Sequence, residues 1–512
     1  LYARVLSAAV QGIDAYSVKV EINLENTNLP TYITVGLPDS AVRESRERVS
    51  AAVKNSGFLF PPKKVTVNLA PASVRKEGSS FDLPIALGFL AATGQLSKDR
   101  LNNIYALGEL ALDGKLRPVR GALPIAVELA KRSVEGLVIT AANASEAAMV
   151  KGLNVYPARN LRDVVSFLNG ESTIAPISVD VETLFDEGLK YPVDFYDVRG
   201  QEQAKRALEV SAAGGHNVLM IGPPGSGKTM LAKRLPTIMP PLSFEEAIET
   251  TKIYSVAGLL PSQTPLLSVR PFRNPHHTIS DAGLIGGGQF PRPGEVSLAH
   301  KGVLFLDELP EFKKNVLEVL RQPVEDGDVT ITRTRMSITY PANFNLVTAM
   351  NPCPCGYYGH PSRECRCSAT MVQKYLGHVS GPLLDRIDIH IEVPAVEYKD
   401  LTGVTGGDSS DVIRKRVIAA RKVQSERFKH IESLYVNADM GSREVRKFCP
   451  ISKDGNALLK TAIDSMGLSA RAYDRIIKVS RTIADLEGST DIKPEHLAEA
   501  IQYRNLDRDL WI

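Results

Sequence analysis

Apolar and polar positions along the chain switch between period two and helical period. Residues 17–22 (SVKVEI) and 64–68 (KVTVN) alternate polar and apolar side chains, which predicts strands with one buried face. Residues 40–57 carry apolar residues at helical spacing and close on a glycine. Residues 83–93 are apolar on every side and predict a buried helix, while 104–110 and 137–140 predict further strands. Residues 1–170 therefore read as a mixed α/β domain. The stretch 171–197 mixes Pro, Ser, Thr and acidic residues and reads as a linker. A second α/β unit spans 198–400 and a mostly helical unit spans 412–512, joined through GVTGGDSS at 403–410.

A length of 512 residues fits this division, since about 150 residues per domain predicts three. Hydrophobic residues at 43 % and charged residues at 23 % are ordinary for a globular protein. The net charge of +3 argues neither for nor against a polyanionic partner, so any nucleic-acid case rests on local clusters. The longest apolar stretch, 83–96, is interrupted by Gly88 and Gly94 and is short of the roughly 18 residues a membrane span needs. No basic segment precedes an apolar one at the start, so no secretion signal is expected. A first residue Leu1 rather than Met leads us to expect chain upstream. Four of the five cysteines crowd together instead of forming a dispersed disulfide framework, which suits a reducing compartment and predicts the cytoplasm.

The candidate chemistry lies in the second unit. The apolar run NVLMI at 217–221 leads into GPPGSGKT, with Gly222, Pro223, Pro224, Gly225, Ser226, Gly227, Lys228 and Thr229, and then into the helical MLAKRL. Strand, glycine-rich loop and helix in that order form a P-loop, whose inward-turned backbone amides hold phosphate at a helix N-terminus. Lys228 is expected to neutralise the β- and γ-phosphates of ATP, and Thr229 to hold Mg²⁺. A second buried strand, GVLFLDE at 302–308, ends in Asp307, expected on Mg²⁺, and Glu308, expected to polarise the attacking water. A third, LVTAMN at 346–351, ends in Asn351, placed to orient that water.

These strand ends, followed by a helical unit, resemble the AAA+ ATPases, and in detail the magnesium-chelatase-like proteins of the ComM/YifB type. The likeness runs nearly end to end: VGLPDSAVRESRERV at 35–49, GQEQAKRALEVSAAGGHN at 200–217, RNPHHTIS at 273–280, NPCPCG at 351–356 and GPLLDRIDIHIEVP at 381–394. YRNLDRDLW at 503–511 adds the expectation of an intact C-terminus. The resemblance implies a multidomain α/β fold: a Lon-protease-like domain, an AAA+ core and a C-terminal helical lid. It also implies a homo-hexameric ring with ATP sites at subunit boundaries. Arg386 is then the candidate for an arginine reaching a neighbour's site, with a salt bridge to Asp385 or Asp388 as the alternative. Arg471 looks like the second sensor arginine, with plain surface charge as its alternative.

Two segments resemble the pore hairpins of related motors, 269–288 and the alternating TITRTRMSITY at 330–340. Arg270, Arg273, Arg333 and Arg335 could then follow a phosphate backbone, with His276 beside them, or the segments could be structural loops. His276 and His277 could instead hold a metal, although no third ligand stands near in sequence. Cys353, Cys355, Cys365 and Cys367, spaced C-x-C-x₉-C-x-C, form a candidate structural Zn²⁺ site, with free or redox-active thiols as the alternative. Cys449 stands apart and is expected in the core. In the first domain, Ser79 and Ser80 fall near a Lon-type nucleophile, but Leu123 and Pro124 stand where its lysine base is needed, so a scaffold or DNA-binding role is expected. The helix at 412–430 carries seven Lys or Arg against one Glu, reading either as a DNA contact or as a solvated face. The leading functional expectation is a DNA-dependent ATPase, a branch-migration helicase of recombination or natural transformation. The alternatives are a chelatase-type motor acting on a protein partner and an ATP-dependent protease.

Overall fold

The computed structural model describes residues 1–27, 30–188, 191–261, 264–288, 291–333, 336–360, 362–395, 407–431 and 434–506. They form two compact units, Leu1–Phe185 with Phe244–Leu267, and Asp186–Ser243 with Ser268–Ile512.

The first unit is built on a seven-stranded sheet. Its strands are β1 (Tyr2–Gln11), β2 (Asp14–Glu25), β3 (Tyr32–Val35), β4 (Lys64–Ala70), β5 (Ile104–Ala106), β8 (Gly136–Thr140) and β9 (Val155–Ala158), in the order β3-β4-β2-β1-β5-β8-β9. A separate small pair, β6 (Glu109–Leu110) and β7 (Leu116–Arg117), lies outside that sheet. The predicted strand 104–110 is thus two strands in two sheets, broken at Leu107 and Gly108. The apolar helix Asp82–Ala92 is buried along its whole length, in contact with β1, β2 and the helix Ser45–Asn55, which is why it shows no polar face. The segment Phe244–Leu267 belongs to this unit, although the chain on both sides of it belongs to the second. Its helix Phe244–Ala257 packs on the helix Ala122–Ala130, and the Ser255 hydroxyl donates to the buried Glu146 carboxylate. Sequence reading had assigned this segment to the ATPase core.

The second unit contains a five-stranded sheet made of β10 (Val218–Ile221), β11 (Phe272–Arg273), β14 (Val303–Leu306), β17 (Asn345–Met350) and β18 (Ile389–Glu392). The order is β11-β14-β17-β10-β18 and every pairing is parallel. Residues in β10, β14 and β17 are buried throughout, as expected for strands covered on both faces. Two short antiparallel pairs stand outside this sheet, β12 (Gly286–Gly287) with β13 (Arg292–Pro293), and β15 (Asp328–Arg333) with β16 (Met336–Pro341). The helices Ser410–Phe428, Ser442–Phe448, Lys453–Met466, Ala470–Leu486 and Pro494–Gln502 complete the unit and share its core with the sheet. Among the described residues no helix is long and apolar enough to cross a membrane.

Candidate functional site

In a parallel sheet all strands end at the same edge, and ligands bind beyond those ends. Register places Ile221 beside Met350, and Leu306 beside Thr348. The residues that follow, Gly222, Asn351 and Asp307, therefore meet at one edge. Gly222 is required there by space, because a Cβ would collide with the Val393 carbonyl oxygen. Gly225 and Gly227 have φ of +77° and +92°, conformations that glycine adopts without strain and that turn the loop into the helix Lys228–Ile238.

Lys228 is buried, and its Nζ donates to the carbonyls of Gly222 at 2.7 Å and Pro223 at 3.0 Å and to Asn351 Oδ1 at 3.3 Å. Burial pushes its ammonium below the ordinary value, and the nearby Asp307 carboxylate opposes that. Thr229 Oγ1 donates to Asp307 Oδ2 at 2.6 Å, joining the two expected Mg²⁺ ligands. The residues fit ATP and Mg²⁺: a lysine satisfied only by loop carbonyls and an amide, a hydroxyl–carboxylate pair, and a buried Ser226 Oγ with no partner among the described residues.

Glu308 has φ of +54°, an uncommon conformation for a residue with a side chain. His277 Nδ1 lies 3.2 Å from its Oε2, and the His276 ring packs on His277 with centroids 4.1 Å apart. His276 Nδ1 itself lies 2.9 Å from Thr278 Oγ1. His277 is thus a partner of Glu308, a pairing the sequence reading did not weigh. Gln201 was also missed. It has φ of +61°, and its amide donates to the carbonyls of Ser226 at 3.3 Å and Pro394 at 2.7 Å, bracing the P-loop. A Gly-Gln pair before a helix carries no such signal in one dimension.

Arg386 pairs with Glu325 at 2.5 Å and not with Asp385 or Asp388. Asp388 is held instead by Arg475 at 2.6 Å and His216 at 3.1 Å. Burial alone would raise the Asp388 carboxyl, but Arg475 and then His216 outweigh it and hold the group well below the usual carboxylate range. Arg471, one turn before Arg475 at the start of the helix Ala470–Leu486, is exposed.

The four expected arginines separate. Residues 272–273 form an edge strand of the central sheet, while Gly286–Gly287 of the same segment pairs with Arg292–Pro293. Arg270 donates to the carbonyls of Pro240, Lys301 and Pro241 at 2.5, 2.6 and 3.2 Å, and Arg273 grips Glu295 with two bonds of 2.6 and 2.7 Å. Both guanidinium groups thus have partners within the chain, as a structural role for the segment expects. Arg335 lies outside the described residues. Arg333 ends β15, is exposed, and its NH2 lies 3.2 Å from where a Cβ of Gly287 would stand. The two hairpins therefore touch, and Tyr340 of β16 also donates to the Pro291 carbonyl at 2.8 Å. Contact with β12 puts the exposed Arg292 of β13, which sequence reading passed over, into the same hairpin pair. On the basic helix, Arg414, Arg416, Arg421 and Arg427 are taken by Asp411, by Glu209 and Asp408, by the Ala212 carbonyl and by Asp485.

The cysteines gather. Sγ atoms of Cys353, Cys355, Cys365 and Cys367 all lie within 4.8 Å of one another. Cys353 stands 3.4 Å from Cys355 and 3.7 Å from Cys365, and Cys355 stands 3.6 Å from Cys365. Backbone N–H groups of Tyr357 and Arg366 pull the Cys355 thiol down to about 6. Cys449 is buried in the core, as expected. In the first unit, Ser79 donates to the Glu109 carboxylate, and Leu123 and Pro124 are buried in a helix.

Residues 194–401 match the protein family described as "Magnesium chelatase, subunit ChlI", 20–143 match "Subunit ChlI of Mg-chelatase" and 407–504 match "Magnesium chelatase, subunit ChlI C-terminal". The chain is similar to the protein YifB of Salmonella typhimurium, 44 % identical over 508 residues covering 99 % of this chain and 97 % of that protein. It is likewise similar to the competence protein ComM of Haemophilus influenzae, 45 % identical over 512 residues covering 99 % and 98 %. Likeness to the magnesium-chelatase 38 kDa subunit of Rhodobacter capsulatus is weaker, 25 % over 329 residues, covering 59 % of this chain and 84 % of that one.

Proposed function

The chain belongs to the ComM/YifB-type magnesium-chelatase-like family, and on that premise we propose that it is an AAA+ ATPase driving a DNA motor, a branch-migration helicase of recombination or natural transformation. One observation supports the ATPase reading most: Lys228, the Thr229–Asp307 pair and Asn351 converge at the ends of adjacent parallel strands. Bound ATP with Mg²⁺ supplies a γ-phosphoryl group open to attack by water. Lys228 exchanges its loop carbonyls for phosphate oxygens, and Thr229 and Asp307 hold the ion. Glu308 takes the proton of the attacking water, and Asn351 orients that water. Arg386 acts in a neighbouring subunit of a homo-hexamer after leaving Glu325, and Arg471 approaches the phosphates from the C-terminal helical lid. A Zn²⁺ ion held by the four clustered thiolates is structural.

The DNA reading rests on full-length likeness to a protein named for competence, with the exposed Arg292 and Arg333 on touching hairpins as backbone contacts. Its test is ATPase activity with single-stranded, duplex and branched DNA, before and after Arg292→Ala with Arg333→Ala. We expect DNA stimulation and strand displacement to be lost in the double variant, with basal hydrolysis retained. The salt dependence of DNA binding should also flatten. Absence of any DNA stimulation in the unaltered protein would favour the second reading, a chelatase-type motor on a protein partner. The chelatase-subunit matches across all three segments support that alternative. Proteolysis by the Lon-protease-like first domain is disfavoured by Leu123 and Pro124.

A further inference from the structure

The four-cysteine loop sits against the phosphate loop. Gly356, in the turn between Cys355 and Tyr357, has φ of +83°, and its N–H closes the turn onto the Cys353 carbonyl at 2.9 Å. A Cβ on Gly356 would stand 2.7 Å from Cγ of Pro224 and closer still to Cδ. Backbone of the cysteine turn therefore rests directly on the Pro-Pro segment of the P-loop. The loop is also anchored at both ends to the hydrolytic machinery. Two residues before Cys353, Asn351 accepts from Lys228. After Cys367, the helix Ala369–Leu376 leads to His378, whose Nδ1 lies 2.8 Å from the Pro310 carbonyl oxygen, two residues after Glu308.

A tetrahedral Zn²⁺ site with metal–sulfur bonds of about 2.3 Å has sulfur–sulfur edges of about 3.8 Å. The separations of 3.4, 3.6 and 3.7 Å are close to those edges. Backbone N–H groups of Tyr358 and Cys367 point at the sulfurs of Cys353 and Cys365, at 3.3 and 3.5 Å, as donors commonly do around thiolate ligands. Cys353 is buried while the other three are partly exposed, so an ion could enter from solvent and would leave no open position for substrate.

We propose that Zn²⁺ in this four-thiolate knot fixes the turn at Gly356 against Pro224, so that metal occupancy sets the affinity of the P-loop for ATP. This rests on the zinc and ATPase readings above and adds a coupling to them. Ion binding expels the thiol protons and shapes the loop. Without the ion the thiols regain their protons and nothing ties the four sulfurs together, so the support under Pro223 and Pro224 is lost. Zinc here acts through backbone packing and touches no phosphate.

Elemental analysis and binding of a fluorescent ATP analogue to the full chain test this together. Purified protein should carry one Zn²⁺ per chain. Removal by a chelator should weaken nucleotide binding about tenfold, and added Zn²⁺ should restore it. Gly356→Ala should keep its zinc yet lose affinity about tenfold through overpacking on Pro224. In a Pro224→Ala background, which removes the ring, the same Gly356→Ala change should cost less than about threefold. This comparison separates transmission through the contact from local strain at a positive φ. Zinc present but removable with no change in affinity overturns the coupling and leaves the zinc reading standing. An equal cost of Gly356→Ala in both backgrounds also overturns it. Absence of stoichiometric zinc overturns the zinc reading and the proposal with it.

Discussion

At the scale of single residues, the proposed roles separate binding from hydrolysis. Lys228 spends its protons on Gly222, Pro223 and Asn351, all of which phosphate can replace. Lys228→Ala should therefore weaken ATP binding about 100-fold, as measured by equilibrium binding. Glu308→Gln should leave affinity nearly unchanged and slow single-turnover hydrolysis about 1,000-fold, because only proton acceptance is lost. Equal loss of binding in both variants would contradict these roles. His277 gives a finer test, since it lies 3.2 Å from Glu308 and stands outside the P-loop sequence. We expect His277→Ala to reduce kcat about tenfold through loss of Glu308 orientation, with ATP affinity retained. Partial recovery in His277→Asn, which keeps a hydrogen-bonding group, would distinguish positioning from a general packing defect.

At the scale of elements, the helix Ala470–Leu486 is tied to the sheet through Asp388, where β18 begins. Arg475 and His216 bond that carboxylate, and His216 Nε2 lies 2.8 Å from Thr482 of the same helix. The folded carboxyl is depressed below its ordinary value of about 3.8. Its contribution to stability is therefore fully present above that value and is lost as pH falls below it through the folded value. Asp388→Asn should destabilise the second unit by about 3 kcal/mol by leaving Arg475 unpaired. The difference between variant and unaltered protein should shrink as the pH is lowered below 4, the ordinary value being 3.8, and urea melts across that range would show it. A difference constant with pH would place the stabilisation elsewhere. Distance from the P-loop makes the same variant informative about coupling between the helices and the sheet.

At the scale of the whole molecule, the proposed ring requires Arg386 to change partners. Within one chain it pairs with Glu325 and donates to the Pro382 carbonyl at 2.6 Å, while its buried Nε has no partner among the described residues. If it serves a neighbour, mixing Arg386→Ala chains with Lys228→Ala chains should restore hydrolysis at interfaces that combine an intact P-loop with an intact arginine. The recovery would be measured against each variant alone, after co-assembly is verified. A mixture as inactive as its components would return Arg386 to a purely internal ion pair. In the first unit, the Ser79 hydroxyl is engaged by the Glu109 carboxylate. The unit's match to a chelatase subunit over residues 20–143 is compatible with a DNA motor and with a chelatase-type motor alike. DNA stimulation is the measurement that separates them.

The sequence alone determined the features whose chemistry is local. A P-loop is specified by eight consecutive residues, because glycine φ angles and a helix N-terminus need no distant partner. Strand ends at Asp307 and Asn351 follow from apolar runs that stop at a polar residue. Cysteine clustering follows from short spacing. Tertiary structure decided everything that depends on which residue a charged group meets. Arg270 and Arg273 looked available for phosphate until the fold supplied carbonyls and Glu295. Arg292 gained significance only when β13 was brought beside β15 through Gly287. His277 became a partner of Glu308, and Gln201 a brace for Ser226, across separations of 31 and 25 residues. Segment 244–267 joined the first unit because its helix found a buried acid there, Glu146. Where the group is buried, as at Glu146, the deciding energy is desolvation, and in every case the partner is settled by packing between distant parts of the chain that leaves no periodic trace in the sequence.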